Sequence, residues 1–215
     1  MKYFKLWIYL IVIYSSFSAN AGSYDDFFKA LKIDDARVVG RLLDGGFDPN
    51  TLSPEGLHPL ALAMKGPSPG VLGLLLNAKS VQVEYRNAAD ESPLMLAAMA
   101  GMVEVCKRLI ALDADVNKTG WTPLHYAATA GQVAVIRVLL ENSAYIDAES
   151  PNKSTPLMMA AMYSDSETVR LLLDEGADAS LKNDKGMTAL DFANAAGRGA
   201  SAREITKHLT TGLRP

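Results

Sequence analysis

One seven-residue phrase returns along this chain at a near-constant interval, and no other feature limits the fold as tightly. Ser92-Pro93-Leu94-Met95-Leu96-Ala97-Ala98, Thr122-Pro123-Leu124-His125-Tyr126-Ala127-Ala128 and Thr155-Pro156-Leu157-Met158-Met159-Ala160-Ala161 are variants of one unit. Looser copies run from His58 to Ala63 and from Thr188 to Ala193. From Pro59 to Pro93 is 34 residues, from Pro93 to Pro123 is 30, and the next two intervals are 33 each. A period in this range means a solenoid of stacked helix pairs.

The second half of each unit repeats too. Val39, Leu72, Cys106, Ile136 and Val169 occupy one register position, and Leu42-Leu43, Leu75-Leu76, Leu109-Ile110, Leu139-Leu140 and Leu172-Leu173 another. Spacings of three and four place these on one helical stripe, too narrow to bury itself. Each stripe must be covered by a neighbouring unit.

The phrase resembles the ankyrin repeat, whose signature is Thr-Pro-Leu-His-x-Ala, and the chemistry of each position agrees. Thr122 can cap a helix through the free N–H groups of its first turn, and Pro123 suits the first helical position, where no N–H is needed. Ala127 and Ala128 are small enough for adjacent inner helices to approach closely. Gly101 and Gly131 turn the chain within a pair, and Gly46 and Gly176 suit a left-handed cap after it. Asp48-Pro49-Asn50, Asp115-Val116-Asn117 and Asp178-Ala179-Ser180 match the family's turn into its finger.

The resemblance implies an all-α repeat solenoid, an ankyrin-type stack of helix pairs with short β-hairpin fingers and about six units including two caps. The units lie near residues 25–57, 58–91, 92–121, 122–154, 155–187 and 188–215, in one domain over 22–215. The first lacks the Thr-Pro opening and carries Asp25, Asp26, Lys29, Lys32, Asp34 and Asp35, as a terminal repeat with a solvated face should. Three departures stand out. Asn117 to Thr122 is five residues where Asp147 to Thr155 is eight, so one finger is truncated. Pro67-Ser68-Pro69-Gly70 stiffens a turn between helices. Lys79, Asp113 and Ser143 stand where the pattern wants Gly.

Residues 1–21 differ from the rest. Lys2 and Lys5 precede an apolar run from Leu6 to Tyr14, and Ala19-Asn20-Ala21 supplies small residues for cleavage after Ala21. This is the pattern of a secretory signal, and the run falls short of the roughly 20 residues that span a bilayer. The mature chain is expected to carry no membrane insertion and to begin at Gly22. Removing Lys2 and Lys5 takes the formal net charge from −3 to −5. A mildly acidic chain without a polybasic run argues against nucleic acid.

Cys106 is the one cysteine, which excludes an intrachain disulfide, and its slot makes it a small buried hydrophobe. Export without disulfides fits a bacterial envelope protein, periplasmic or secreted onward. His58, His125 and His208 belong to different units with no ligand spacing around them. Neither a phosphate loop nor a nucleophile elbow is present, and no catalytic residue, metal site or cofactor is expected. Arg198, Arg203, Lys207 and Arg214 read as a solvated cap, and Asp34-Asp35 as solvated charges.

A partner would meet finger tips and exposed sides of inner helices, the concave face of such stacks. The residues before the Thr slot include Leu57, Glu91, Trp121 and Met187, and those after the Ala-Ala pair include Met64, Met99, Met162 and Tyr163. A track of Trp, Tyr, Leu and Met at usually polar positions marks an interaction surface. Trp121, beside the truncated finger, should face a notch flanked by Met99, Met162 and Tyr163, or else fold over and plug it. The expected function is a monomeric, non-enzymatic module binding a protein partner. An accessory factor handling a cofactor or peptide, and a secreted effector engaging host proteins, are the alternatives.

Overall fold

The computed structural model describes residues 22–66 and 68–212. The expected secretory segment, 1–21, lies outside them, as does Pro67 of the stiffened turn. Among the described residues six helix pairs follow in order. They are α1 (22–32) with α2 (Ala36–Asp44), α3 (Pro59–Lys65) with α4 (Pro69–Asn77), and α5 (Pro93–Met99) with α6 (Val103–Ile110). Then come α7 (Pro123–Thr129) with α8 (Val133–Glu141), α9 (Pro156–Tyr163) with α10 (Ser166–Asp174), and α11 (Ala189–Ala195) with α12 (Gly199–Thr211). The chain forms two compact units, residues 1–82 and 83–215.

In the second unit every inner helix starts by the same device. Thr122 Oγ1 accepts from the His125 N–H at 3.4 Å, and His125 Nδ1 accepts from the Thr122 N–H at 3.2 Å. Ser92 with Met95, Thr155 with Met158 and Thr188 with Asp191 form the same reciprocal box, the side-chain acceptor being sulfur, sulfur and carboxylate. One slot therefore holds Met, His or Asp, because what the site requires is an acceptor three residues into the helix. Met95 and Met158 are buried and cap through Sδ while they pack.

The paired alanines Ala97-Ala98, Ala127-Ala128 and Ala160-Ala161 are buried, so α5, α7, α9 and α11 pack in succession. Behind them α6, α8, α10 and α12 pack likewise, burying the Cys106, Ile136 and Val169 slot and the Leu109, Leu139 and Leu172 slot. At Gly131 (φ 69°) a side chain would be strained and would force a neighbour to shift. A Cβ there would meet Ser164 Oγ at 2.6 Å.

Repeat-to-repeat hydrogen bonds tie the turns together. Asn117 Oδ1 accepts from the Tyr145 N–H at 2.8 Å, while its Nδ2 donates to the Ser143 carbonyl at 2.8 Å. Glu84 Oε1 accepts from the Asp115 N–H at 2.7 Å, and Asp147 Oδ1 from the Asp178 N–H at 3.1 Å. Burial raises the Asp147 pKa. At two of the three positions that lack the expected glycine the backbone still turns left-handed, Asp113 and Ser143 both at φ 64°, a conformation that costs an L-residue about 1–2 kcal/mol, whereas Lys79 does not adopt it.

The fingers are tight loops, each closed by a backbone rung. Asn87 donates to the Glu91 carbonyl at 3.2 Å, Ser150 to Ser154 at 3.0 Å and Asn183 to Met187 at 3.0 Å. Among the described residues none extends into a regular β-strand. In the truncated finger the Lys118 ammonium pairs with Asp90 and donates to the Thr119 carbonyl at 3.1 Å.

In the first unit Phe27 stacks on Phe47 with ring centroids 4.4 Å apart, and α2 packs on α4. The neighbouring acids Asp34 and Asp35, read from sequence as solvated charges, are helix caps. Asp35 accepts from the Val38 N–H to start α2. Asp34, at φ 57°, reaches across to accept from Gly70 and Val71 at the start of α4, at 3.1 and 2.8 Å. Ser68 is thereby free of capping and donates to the Leu31 carbonyl at 2.8 Å. His58 caps α3 through Nδ1, accepting from the Leu60 N–H at 3.2 Å.

Candidate functional site

In the second unit a recess of about 270 Å³ opens beside the truncated finger, lined by Glu91, Met99, Trp121, Tyr126, Thr129 and Met159. It follows from the repeat register. The short linker places Trp121 directly before Thr122, α5 delivers Met99, α7 delivers Tyr126 and Thr129, and α9 delivers Met159. Met99 is 46% exposed at the end of α5. Trp121 is half-buried and stands edge-on to the His125 ring, centroids 5.3 Å apart at 78°.

His125 fixes the Trp121 side of the recess. Its Nε2 donates to the Ser154 carbonyl at 2.8 Å, while Nδ1 accepts within the capping box. The ring is therefore the neutral Nε2–H tautomer, and burial holds its pKa down to about 4. Opposite, Glu91 is clamped. Its Oε1 accepts from the Tyr126 hydroxyl at 2.9 Å and its Oε2 from Asn87 Nδ2 at 2.7 Å. Burial, then the Glu91 carboxylate, raise the Tyr126 pKa, so its hydroxyl remains a donor.

The sequence-expected residues do not converge on one spot. Trp121, Met99 and Glu91 line the recess. Met162 and Tyr163 are not among its walls. They sit at the end of α9, Tyr163 53% exposed, where Arg198 gathers the helix's last carbonyls. Its guanidinium donates to Met162, Ser164 and Tyr163 at 2.8, 2.5 and 2.9 Å. Arg198, read as part of a solvated cap, thus terminates α9. Met187 is half-buried at the finger closed by Asn183.

Leu57 and Met64 belong to the first unit. Leu57 lines a larger cavity there with Tyr24, Phe28 and Leu62, rimmed by Lys29, Lys32 and Lys65. Met64 is buried in α3, facing inward instead of joining the exposed track. Sequence reasoning missed Tyr126 and Met159, whereas Thr129 stands at one of the positions after the Ala-Ala pair that it placed on this surface. Tyr126 and Met159 occupy the variable fifth position of the phrase, which is the signal that could have found them.

Among the described residues no group of three or more His, Cys, Asp or Glu side chains is placed to hold a metal ion, and no helix is long and apolar enough to cross a membrane. Cys106 is fully buried, and burial pushes its thiol pKa up to about 12, leaving the thiol a packing group.

Residues 70–150 and 142–211 match the family described as ankyrin repeats in three copies. The chain is 30% identical over 176 residues to human transient receptor potential cation channel subfamily A member 1, covering 77% of this chain and 16% of that protein. It is 32% identical over 128 residues to neurogenic locus notch homolog protein 1 of Xenopus tropicalis, covering 58% of this chain and 5% of that one. It thus spans only a small part of these relatives' length. A chain from the solved complex of a predatory endopeptidase with an immunity protein, from Bdellovibrio bacteriovorus, superposes with a TM-score of 0.72. The two are 28% identical, with 85% of this chain and 97% of that one covered. Ankyrin repeats are protein–protein interaction modules. With the family pattern spanning more than half of its length, and its helix pairs built and capped as that pattern requires, this chain belongs to the ankyrin-repeat family.

Proposed function

We propose that this chain is a non-enzymatic, monomeric binding module, exported to the periplasm, that takes a protein partner on its finger-and-inner-helix surface. The observation carrying this reading is the recess beside the truncated finger, where Trp121 and Met99 remain partly exposed at positions a merely solvated stack would fill with polar groups. Half-buried aromatics at the centre of a surface are the usual anchors of protein interfaces. Export rests on the charged start, short apolar run and small-residue site of residues 1–21. Intact-mass analysis of periplasmic protein should find a chain beginning at Gly22. A form retaining residues 1–21 in the membrane fraction overturns the localisation.

Affinity capture from the envelope fraction, run in parallel with Trp121→Ala, tests the binding role. An anchor loses about 2 kcal/mol or more of partner affinity with little change in melting temperature. A plug loses stability first and keeps its affinity per folded molecule, which sinks this reading. The likeness to a chain from an endopeptidase–immunity protein complex favours one partner class, an exported peptidase that the module would restrain. Protection of a co-expressed envelope peptidase's substrates checks that variant of the reading.

A further inference from the structure

The walls of the Trp121 recess carry a polarity that specifies what enters it. Its oxygen-bearing side chains are Glu91, Tyr126 and Thr129. The Tyr126 hydroxyl spends its proton on Glu91, and the Thr129 hydroxyl spends its own on the His125 carbonyl at 2.7 Å. What those three side chains still offer a guest is therefore acceptor lone pairs. The remaining walls are an indole, the Tyr126 ring and two thioethers, surfaces that favour a cation lying over a π-face.

The carboxylate is positioned and without a cationic partner inside the recess. Glu91 is held on both oxygens by neutral donors, Tyr126 and Asn87. Lys118, on the adjoining short finger, gives its ammonium to Asp90 and to the Thr119 carbonyl. Asn87 is itself fixed, its Oδ1 accepting from the Ala89 and Glu91 N–H groups at 2.9 Å each. A clamped carboxylate loses little further freedom when a guest binds, which is how preorganisation raises affinity. The volume of about 270 Å³ lies below the range for drug-sized ligands and suits one long side chain.

We propose that the Trp121 recess receives a single basic side chain of the protein partner, an arginine in preference to a lysine. The guanidinium stacks on the Trp121 and Tyr126 rings and directs its N–H fork at Glu91. Arginine fits better because its planar, weakly hydrated cation both stacks and forks, whereas an ammonium is a compact, strongly hydrated charge. The inference rests on the binding-module reading and supplies its partner chemistry.

The test needs no partner. The full chain, labelled at its methionine methyls, is titrated with N-acetyl-arginine amide and with its neutral isostere N-acetyl-citrulline amide. The Met99 and Met159 signals are followed by NMR. Arginine should shift both methyls saturably, with citrulline weaker by about tenfold, the scale of a hydrogen bond to a charged group. Glu91→Gln should lower the arginine response by a similar factor. Equal responses to the two compounds, no shift with arginine, or undiminished arginine binding by Glu91→Gln each overturn the proposal. If Glu91→Gln melts early, the arginine–citrulline comparison on the unaltered chain decides alone. A partner captured through Trp121 without arginine selectivity sinks this inference and leaves the module reading standing. An arginine-selective recess in a chain whose capture ignores Trp121 keeps the arginine chemistry of the recess, removes the binding-module reading at this site and overturns the claim that the side chain is the partner's.

Discussion

At the scale of the residue, His125 couples packing to protonation. Its ring is fully buried, bridges the α7 capping box to the Ser154 carbonyl, and titrates at about 4 instead of its usual 6.5. The unfolded chain therefore takes up a proton that the folded one refuses as pH falls through that window. Stability from this group is full above about 6.5 and declines toward 4, by at most about 1.4 kcal/mol per pH unit. His58, its pKa also lowered to about 4 by burial, acts with the same sign in the first unit. Met95 and Met158 show that the slot accepts sulfur, and Ser154's carbonyl keeps a bond from the Ser150 N–H. His125→Met should then fold, lose about 1–2 kcal/mol at pH 7, and show a smaller drop in stability between pH 7 and 4.5. Urea melts at the two pH values measure this, and an unchanged drop contradicts the assignment.

At the scale of the element, helices here end as deliberately as they begin. The last carbonyls of α9 are orphans by construction, and Arg198 on the next repeat satisfies them with three N–H groups. Arg198→Ala should destabilise the second unit by about 1.5–3 kcal/mol, the loss of charge-assisted bonds to partly buried carbonyls. Arg198→Lys should recover only part, since an ammonium cannot fork across three acceptors. Thermal melts compare the three proteins, and full recovery by lysine would mean that charge near the helix end outweighs the geometry. Asp34 does for the start of α4 what Arg198 does for the end of α9. In both cases the cap comes from a different repeat, so element boundaries depend on stacking.

At the scale of the whole molecule, an internal repeat of the second unit has neighbours on both sides, whereas the last repeat has a neighbour on one side. Leu139, fully buried in α8, is packed between α6 and α10 through its helix, whereas Leu209 on α12 is 47% exposed. Leu139→Ala should cost about 2–5 kcal/mol through lost burial and a residual cavity. Leu209→Ala should stay within about 0.5 kcal/mol, as exposed substitutions do. Urea denaturation ranks the pair, and the reverse order would contradict the assigned repeat register.

The period of the Thr-Pro-Leu phrase determined the helix pairs, their order and most of the buried stripe, because burial of a narrow apolar face leaves stacked neighbours as its one outlet. It also marked Trp121, Met99 and Glu91, since residues flanking a repeated phrase need not obey its packing. Tertiary structure alone decided the rest. Asp34 and Arg198 look like solvated charges until the repeat that each one caps is brought alongside. Met64 turns inward, while Met162 and Tyr163 sit at the end of α9 and are not among the walls of the recess. Tyr126, Thr129 and Met159 become walls because three inner helices align in register. A recess is a relation between residues some thirty positions apart, and one-dimensional periodicity states the repeat of that relation without stating which side chains spend their hydrogen-bond donors inside it.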